Sequence, residues 1–405
     1  MRYARQLTGQ LCLLIAFTDI TYSNMMVKNR INILMRSHPV SVSIVVLIIA
    51  TVGAFVQTEG ASWDVTSHLL RRPETFLTPS HAMLYSGVGL LLITAAISAN
   101  LLLKNKEIRT RSFGTALKLL IIGSTLSIVA GPSDYLWHQI YGVDGLLSPT
   151  HLTLVTGMLI NSIAVVLGLA RIVVHLPTAR ERRLIKASMI PAFAVMWLML
   201  IWYVYMFALP LSNGVHFNFN LNPVHESIIA IIALPIIDSI VFITASRTVG
   251  RFGAASAVTA LLLGMNSFAN IIPSKQLTPF LLWYLMLIIP AVLADFILNK
   301  STIIRKSKLL KTKRSVIISG AIIGSMFYML GYPMLPITFA EPLSYTFHSM
   351  NDILVNFVIT LPLVLVFTTV PGVAMGITGA IISTKKIKVP QANIPTNISS
   401  KVASE

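Results

Sequence analysis

The 405-residue sequence is short of charge: Asp, Glu, Lys and Arg make up 11% of it, where a soluble domain carries about 25%. With 55% hydrophobic residues and a mean hydropathy of +0.77, that deficit excludes an ordinary soluble or disordered chain. The single cysteine, Cys12, excludes an internal disulfide and any cysteine-rich metal site. Acidic residues are scarce as well, 14 against 31 Lys and Arg, for a formal net charge of +17. There is no Walker or dinucleotide glycine pattern, no HExxH pair and no nucleophile elbow, so the common nucleotide, zincin and hydrolase signatures are excluded.

What the sequence has is apolar runs. About 20 such residues cross the hydrocarbon core as a helix. Ten stretches qualify: 40–57, 80–103, 112–130, 150–170, 188–209, 224–245, 253–271, 279–298, 315–333 and 353–382. The expected fold is therefore an all-α polytopic bundle of about ten spans. Its basic residues fall in alternate loops. Lys104, Lys106, Arg109 and Arg111 follow the second span, and Arg171, Arg180, Arg182, Arg183 and Lys186 follow the fourth. Lys300 to Arg314 and Lys385 to Lys388 continue the pattern, while the opposite loops hold only Arg71, Arg72 and Lys275. The positive-inside rule then puts both termini in the cytoplasm. The net charge reads as topology and contact with the lipid bilayer, not as nucleic-acid binding.

Four segments follow. Residues 1–38 are a cytoplasmic segment whose short apolar run, Leu11 to Phe17, reads as a weak signal peptide or an interfacial anchor, with a start at Met35 as the alternative. Residues 39–176 are a first membrane domain and 177–384 a second, followed by a flexible tail, 385–405.

Of the nine histidines, only His38 and His175 fall on the expected cytoplasmic side. Four of the others sit in a repeat. Asp64-Val-Thr-Ser-His68 is followed after twelve residues by His81, and Asp134-Tyr-Leu-Trp-His138 after twelve by His151. Thr78-Pro79-Ser80-His81 parallels Ser148-Pro149-Thr150-His151, and Gly87 and Gly157 each follow six residues later. This is an internal duplication. Residues four apart share a helix face, so Asp64 and His68 converge, as do Asp134 and His138. The Thr-Pro and Ser-Pro pairs mark helix starts, which put His81 and His151 at the third helical position. A carboxylate and two imidazoles then meet at the extracytoplasmic membrane edge, where polar side chains are costly unless paired or ligated. A lone Asp–His pair is most often a solvated surface pair; two copies with one spacing favour a metal.

The Asp-x3-His-x12-His run with Thr-Pro-Ser-His resembles a copper-binding membrane subunit of the copper membrane monooxygenases, the particulate methane and ammonia monooxygenases. The resemblance covers residues 40–175. It implies a copper site at Asp64, His68 and His81 and a neighbouring one at Asp134, His138 and His151, with aspartate where that family has asparagine. It also implies an oxidative complex with other membrane subunits and a separate cupredoxin-like chain, since no such domain is present here. This chain is longer than the subunit it resembles.

Further candidates lie in the second half. Asn222-Pro223-Val224-His225 repeats the capped helix start, with Glu226 next to it and His216 nine residues earlier. His348 stands near Glu341 and Asp352. For these histidines, hydrogen bonding at headgroup level is the favoured role. Asp238 lies mid-span and Asp295 near the end of its span; an intramembrane acid is a candidate for proton or ion handling, against a helix-packing hydrogen bond. No catalytic residue is named by the sequence. Two other functions compete with the copper subunit. One is a metal transporter, suggested by the number of spans and by the second half reading as a degenerate copy of the first, although the candidate ligands lie at one face and not at the midplane. The other is a self-contained iron or zinc enzyme, since two histidines and a carboxylate suit those metals too.

Overall fold

Proline opens most of the long helices, because its missing N–H is one of the donors a helix start leaves unbonded anyway. The computed structural model describes residues 37–69, 75, 77–142, 147–208, 223–271, 278, 281–303, 308–331 and 365–385. All regular structure among them is helical. The first four long helices are α1 (Pro39–Leu69), α2 (Pro79–Lys104), α4 (Gly114–Tyr141) and α5 (Pro149–Ile172), with the short α3 (Lys106–Thr110) between α2 and α4. Then come α6 (Ala179–Ala208), α7 (Pro223–Val249), α8 (Ala254–Ile271), α9 (Leu281–Leu285), α10 (Ile288–Ile303), α11 (Lys308–Gly331) and α12 (Val370–Lys385).

Seven of these stretches are long and apolar enough to cross a membrane: α1, α2, α4, α5, α6, α7 and Val366–Lys385. Shorter apolar helices, Ala254–Ala269, Ile288–Leu298 and Arg314–Met326, stand at the other three expected positions. The chain is thus an all-α, membrane-embedded bundle. Residues 1–36 and 386–405, and the first part of the expected span at 353–382, lie outside the described residues.

Two helices outrun their apolar stretches. α1 continues past residue 57 to Leu69, and α4 continues past residue 130, through Pro132, to Tyr141. These polar extensions carry the Asp-x3-His motifs.

The duplication is visible in the packing. α1 pairs with α2, and α4 with α5. Each pair crosses at glycine: a Cβ on Gly87 would lie 2.3 Å from Gln57 N, and one on Gly157 would lie 2.8 Å from Gly123 O. Side chains at these points would push the helices apart. The pairs then meet where Gln57 Nε2 donates to Ser127 Oγ at 3.3 Å. Leu91 O, on α2, accepts from Ser124 Oγ of α4 at 3.3 Å.

The second half packs around α6 and α7. The fully buried Trp197 of α6 sits edge-on to Phe242 of α7, with centroids 4.5 Å apart. α11 and α12 approach through facing Gly320/Gly324 and Gly372/Gly376, where a Cβ on Gly324 would fall 2.0 Å from Gly372 O. This is small-xxx-small packing, which lets membrane helices come together without a hydrophobic drive.

Candidate metal centre

Because α1 and α4 end where α2 and α5 begin, both motifs lie at the same end of the bundle. In the second copy all three residues meet. His138 Nε2 lies 3.3 Å from Asp134 Oδ2, and His151 Nε2 lies 3.2 Å from Asp134 Oδ1. One ligand atom from each of the three residues falls within 4.8 Å of the others. Side-chain exposure is about a quarter or less: 26% for Asp134, 22% for His138 and 17% for His151.

The first copy has the same plan. His81 Nε2 lies 2.9 Å from Asp64 Oδ1. His68 is in the last turn of α1, but its side chain lies outside the described residues, so the Asp64–His81 pair is the part that can be compared.

Hydroxyls aim both carboxylates. Ser80 Oγ donates to Asp64 Oδ1 at 3.0 Å, and Thr150 Oγ1 donates to Asp134 Oδ1 at 2.7 Å. Behind Thr150 stands Ser148, whose Oγ is 2.9 Å from Thr150 Oγ1 and accepts from His151 N at 3.1 Å. Ser148 is therefore the expected helix cap. Thr78 occupies the same position but caps nothing: its hydroxyl donates back to Thr75 O at 3.2 Å. The orienting role of Ser80 and Thr150 was open to recognition in the repeat, as a hydroxyl residue between the proline and the histidine in both copies.

The histidine hydrogen bonds show what the sites can hold. His138 Nδ1 is 2.9 Å from Gly142 O, and His81 Nδ1 is 2.8 Å from Thr75 O. A carbonyl oxygen only accepts, so each Nδ1 carries a proton. A neutral ring then turns a bare Nε2 lone pair toward a carboxylate oxygen, which is also only an acceptor. Such a contact needs a cation between the two atoms: a proton or a metal ion. An imidazole whose other nitrogen donates to a backbone carbonyl is also the usual supporting arrangement of a metal-bound histidine. The residues present therefore fit a metal.

The two sets share their surroundings. Tyr85 stacks on His81, with ring centroids 5.9 Å apart. A cavity of about 50 Å³ borders Asp64 of one copy and His151 of the other.

The remaining candidates separate. His216 and His348 lie outside the described residues, and His225 and Glu226 are in the first turn of α7 with their side chains outside them. The fully buried Asp238 accepts from Trp197 Nε1 at 2.5 Å through Oδ1, so it does make a helix-packing bond. Its Oδ2 has no partner among the described residues. Asp295 serves the framework, since its carboxylate accepts from Ser256 N at 2.8 Å, Ser256 Oγ at 2.7 Å and Ser246 Oγ at 3.1 Å.

One acid escapes a search for spans and motifs. Glu59 of α1 is 2% exposed, and neither carboxylate oxygen has a hydrogen-bond partner among the described residues. It lies just past the apolar stretch at 40–57, where a carboxylate reads as loop. The only signal was Gly60-Ala61-Ser62 after it, small residues that suit continued helix packing.

No family model, curated protein or solved structure matches the chain.

Proposed function

We propose that this chain is an integral membrane protein that binds a transition metal at Asp134, His138 and His151, with Asp64, His68 and His81 forming a second, equivalent site. Copper is the favoured ion. A set of two imidazoles and one carboxylate binds copper most tightly of the first-row divalent metals, ahead of iron or zinc. The observation that carries this reading is the pair of Nε2 atoms converging on Asp134, with His138 Nδ1 committed as a donor to Gly142 O.

The chain's own part is to fix the ligands. Thr150 holds the carboxylate, Gly142 O sets the tautomer of His138, and the Ser148 cap places the backbone of His151. A metal bound there would supply redox or Lewis-acid chemistry. By the motif resemblance to the copper membrane monooxygenases, the chain would serve in an oxidative membrane complex with further membrane subunits and a cupredoxin-like chain. The sites would face the extracytoplasmic side, opposite the basic loops.

The test is metal analysis of the protein purified in mild detergent, beside a variant with His68, His81, His138 and His151 changed to alanine. Copper at one or two ions per parent chain, lost from the folded variant, supports the proposal. Equal trace metal in both sinks it. Partner chains co-purifying from native membranes would support the complex, and their absence would leave the chain a metal-binding protein without it.

A further inference from the structure

The cavity between the two Asp/His sets has walls of uneven chemistry. Asp64 comes from α1, His151 and Met158 from α5, and Met199, Trp202 and Met206 from α6. Helical spacing explains how they gather. Met158 follows His151 by seven residues, and Trp202 and Met206 follow Met199 by three and seven, so each helix turns one face to the void. Each of the three methionines is buried: Met158 and Met199 are 2% exposed, and Met206 is 1%.

Methionine is an ordinary filler of irregular cores, and one such residue here would mean nothing. These three border a space that they leave unfilled, although an apolar void forfeits the contacts that close packing would supply. The space, about 50 Å³, exceeds the roughly 10–15 Å³ of such volume that one water needs, so a single ion fits it. Its soft donors are the three thioethers; the imidazole of His151 is a borderline donor, and Asp64 is the one charged residue in its lining. Soft thioether donors select Cu(I) over divalent ions. A cation in a buried site is helped by a nearby carboxylate, and Asp64 stands on the wall, with its Oδ1 turned to His81 and Ser80.

We infer that this cavity is a binding site for a soft monovalent cation, Cu(I), held by the thioethers of Met158, Met199 and Met206 beside His151 and Asp64. It borders both Asp/His sets through His151 and Asp64 and is set apart from them by its three thioethers, which belong to neither. The step is binding alone, with no electron transferred.

Ag(I), which has the same charge and softness and no accessible redox change, is the probe. The intact protein in detergent is titrated with silver nitrate, and the bound ion is examined by X-ray absorption for sulfur neighbours. The Met158→Leu/Met199→Leu/Met206→Leu variant keeps the apolar volume and is compared with the parent. The expected result is a sulfur shell in the parent and at least about tenfold weaker silver binding in the variant. Equal silver binding by the two proteins overturns the proposal, as does a parent spectrum without sulfur. Cys12 is blocked by alkylation in every sample, and if the triple variant does not fold, the single Met199→Leu variant is compared with the parent in the same way. A separate Asp134→Asn/His138→Ala variant, titrated with Co(II) and with Ag(I), distinguishes the two sites. Loss of the cobalt held at the Asp134 centre, with any at the Asp64 set left in place and silver retained, is expected; silver lost together with that cobalt means that the cavity is no site of its own. Absence of cobalt binding in the parent would count against the Asp134 centre and leave the silver result standing.

Discussion

Gln57 and Ser127 occupy the same position in the two copies of the repeat, seventy residues apart, and they hydrogen-bond to each other. Contact between equivalent positions is what an approximate two-fold relation between two helix pairs produces, as at an isologous interface. It accounts for both motifs lying at one end of the bundle and sharing one cavity. The relation depends on close helix crossings. Gly87→Ala would put a methyl 2.3 Å from the backbone of Gln57, whereas nothing lies within 4 Å of a Cβ on Gly89. We predict that G87A destabilises the protein by about 1–3 kcal/mol, by overpacking against backbone that cannot yield. G89A, on the same helix, should be neutral or slightly stabilising, since alanine favours helix over glycine. Thermal unfolding in detergent measures both. Equal melting temperatures for the two variants would contradict the packing described.

The hydroxyl beside the second carboxylate gives a sharper test of the candidate centre. Thr150 Oγ1 reaches Asp134 at 2.7 Å, and valine there keeps the shape without the donor. Thr150→Val should weaken metal binding by about 10–100-fold, the usual effect of losing a group that orients a ligand. Thr150→Ser should restore most of it. Titration with Cu(II) or Co(II) reads the difference, and a valine variant that binds as the parent does would remove Thr150 from the site.

The architecture was legible to the extent that it depends on apolar length. Ten stretches were expected, and each contains helix among its described residues, seven of these helices being long and apolar enough to span. What hydropathy does not carry is where a helix stops once it becomes polar. α1 runs on through Gln57 to Leu69, where Gly60 lets Leu84 of the partner helix approach, and α4 runs on through Pro132 to Tyr141. The Asp134, His138 and His151 convergence was readable from spacing, since a four-residue step and a capped helix start are local rules. The cavity was not: Met158, Met199 and Met206 meet only because α5 packs on α6, and no local pattern records that contact. Thr78 failed to cap where Ser148 does, although the two share a sequence position.

Glu59 illustrates a group hidden from hydropathy, and its state is testable. With no hydrogen-bond partner among the described residues, its buried carboxylate costs several kcal/mol if charged and alone, so the side chain carries a proton or holds an ion. Glu59→Gln imitates the protonated form in size and polarity. If a proton is held, the variant should melt at or above the parent's temperature, with unchanged metal content. A clear fall in melting temperature would mean that the ionised carboxylate has a partner that glutamine cannot satisfy.

Asp295 offers the contrast of an intramembrane acid explained by structure. It is fully buried, yet its two oxygens accept from Ser256 N, Ser256 Oγ and Ser246 Oγ at 2.7–3.1 Å, and from Ala255 N at 3.3 Å. Ala255 and Ser256 are the second and third residues of α8, so an acid on α10 satisfies backbone donors that the start of α8 leaves open. The carboxylate also faces the positive end of the α8 dipole. Removing it leaves buried donors without a partner. We predict that Asp295→Ala lowers stability by about 2–4 kcal/mol, from several lost bonds to a charged acceptor. Asp295→Asn should lose less, because its amide oxygen can still accept one of the backbone N–H groups. Neither variant should change silver or divalent-metal binding in the fraction that folds. Thermal unfolding with metal titration on the same samples decides the matter. A stable alanine variant with altered metal binding would move Asp295 from the framework to the function.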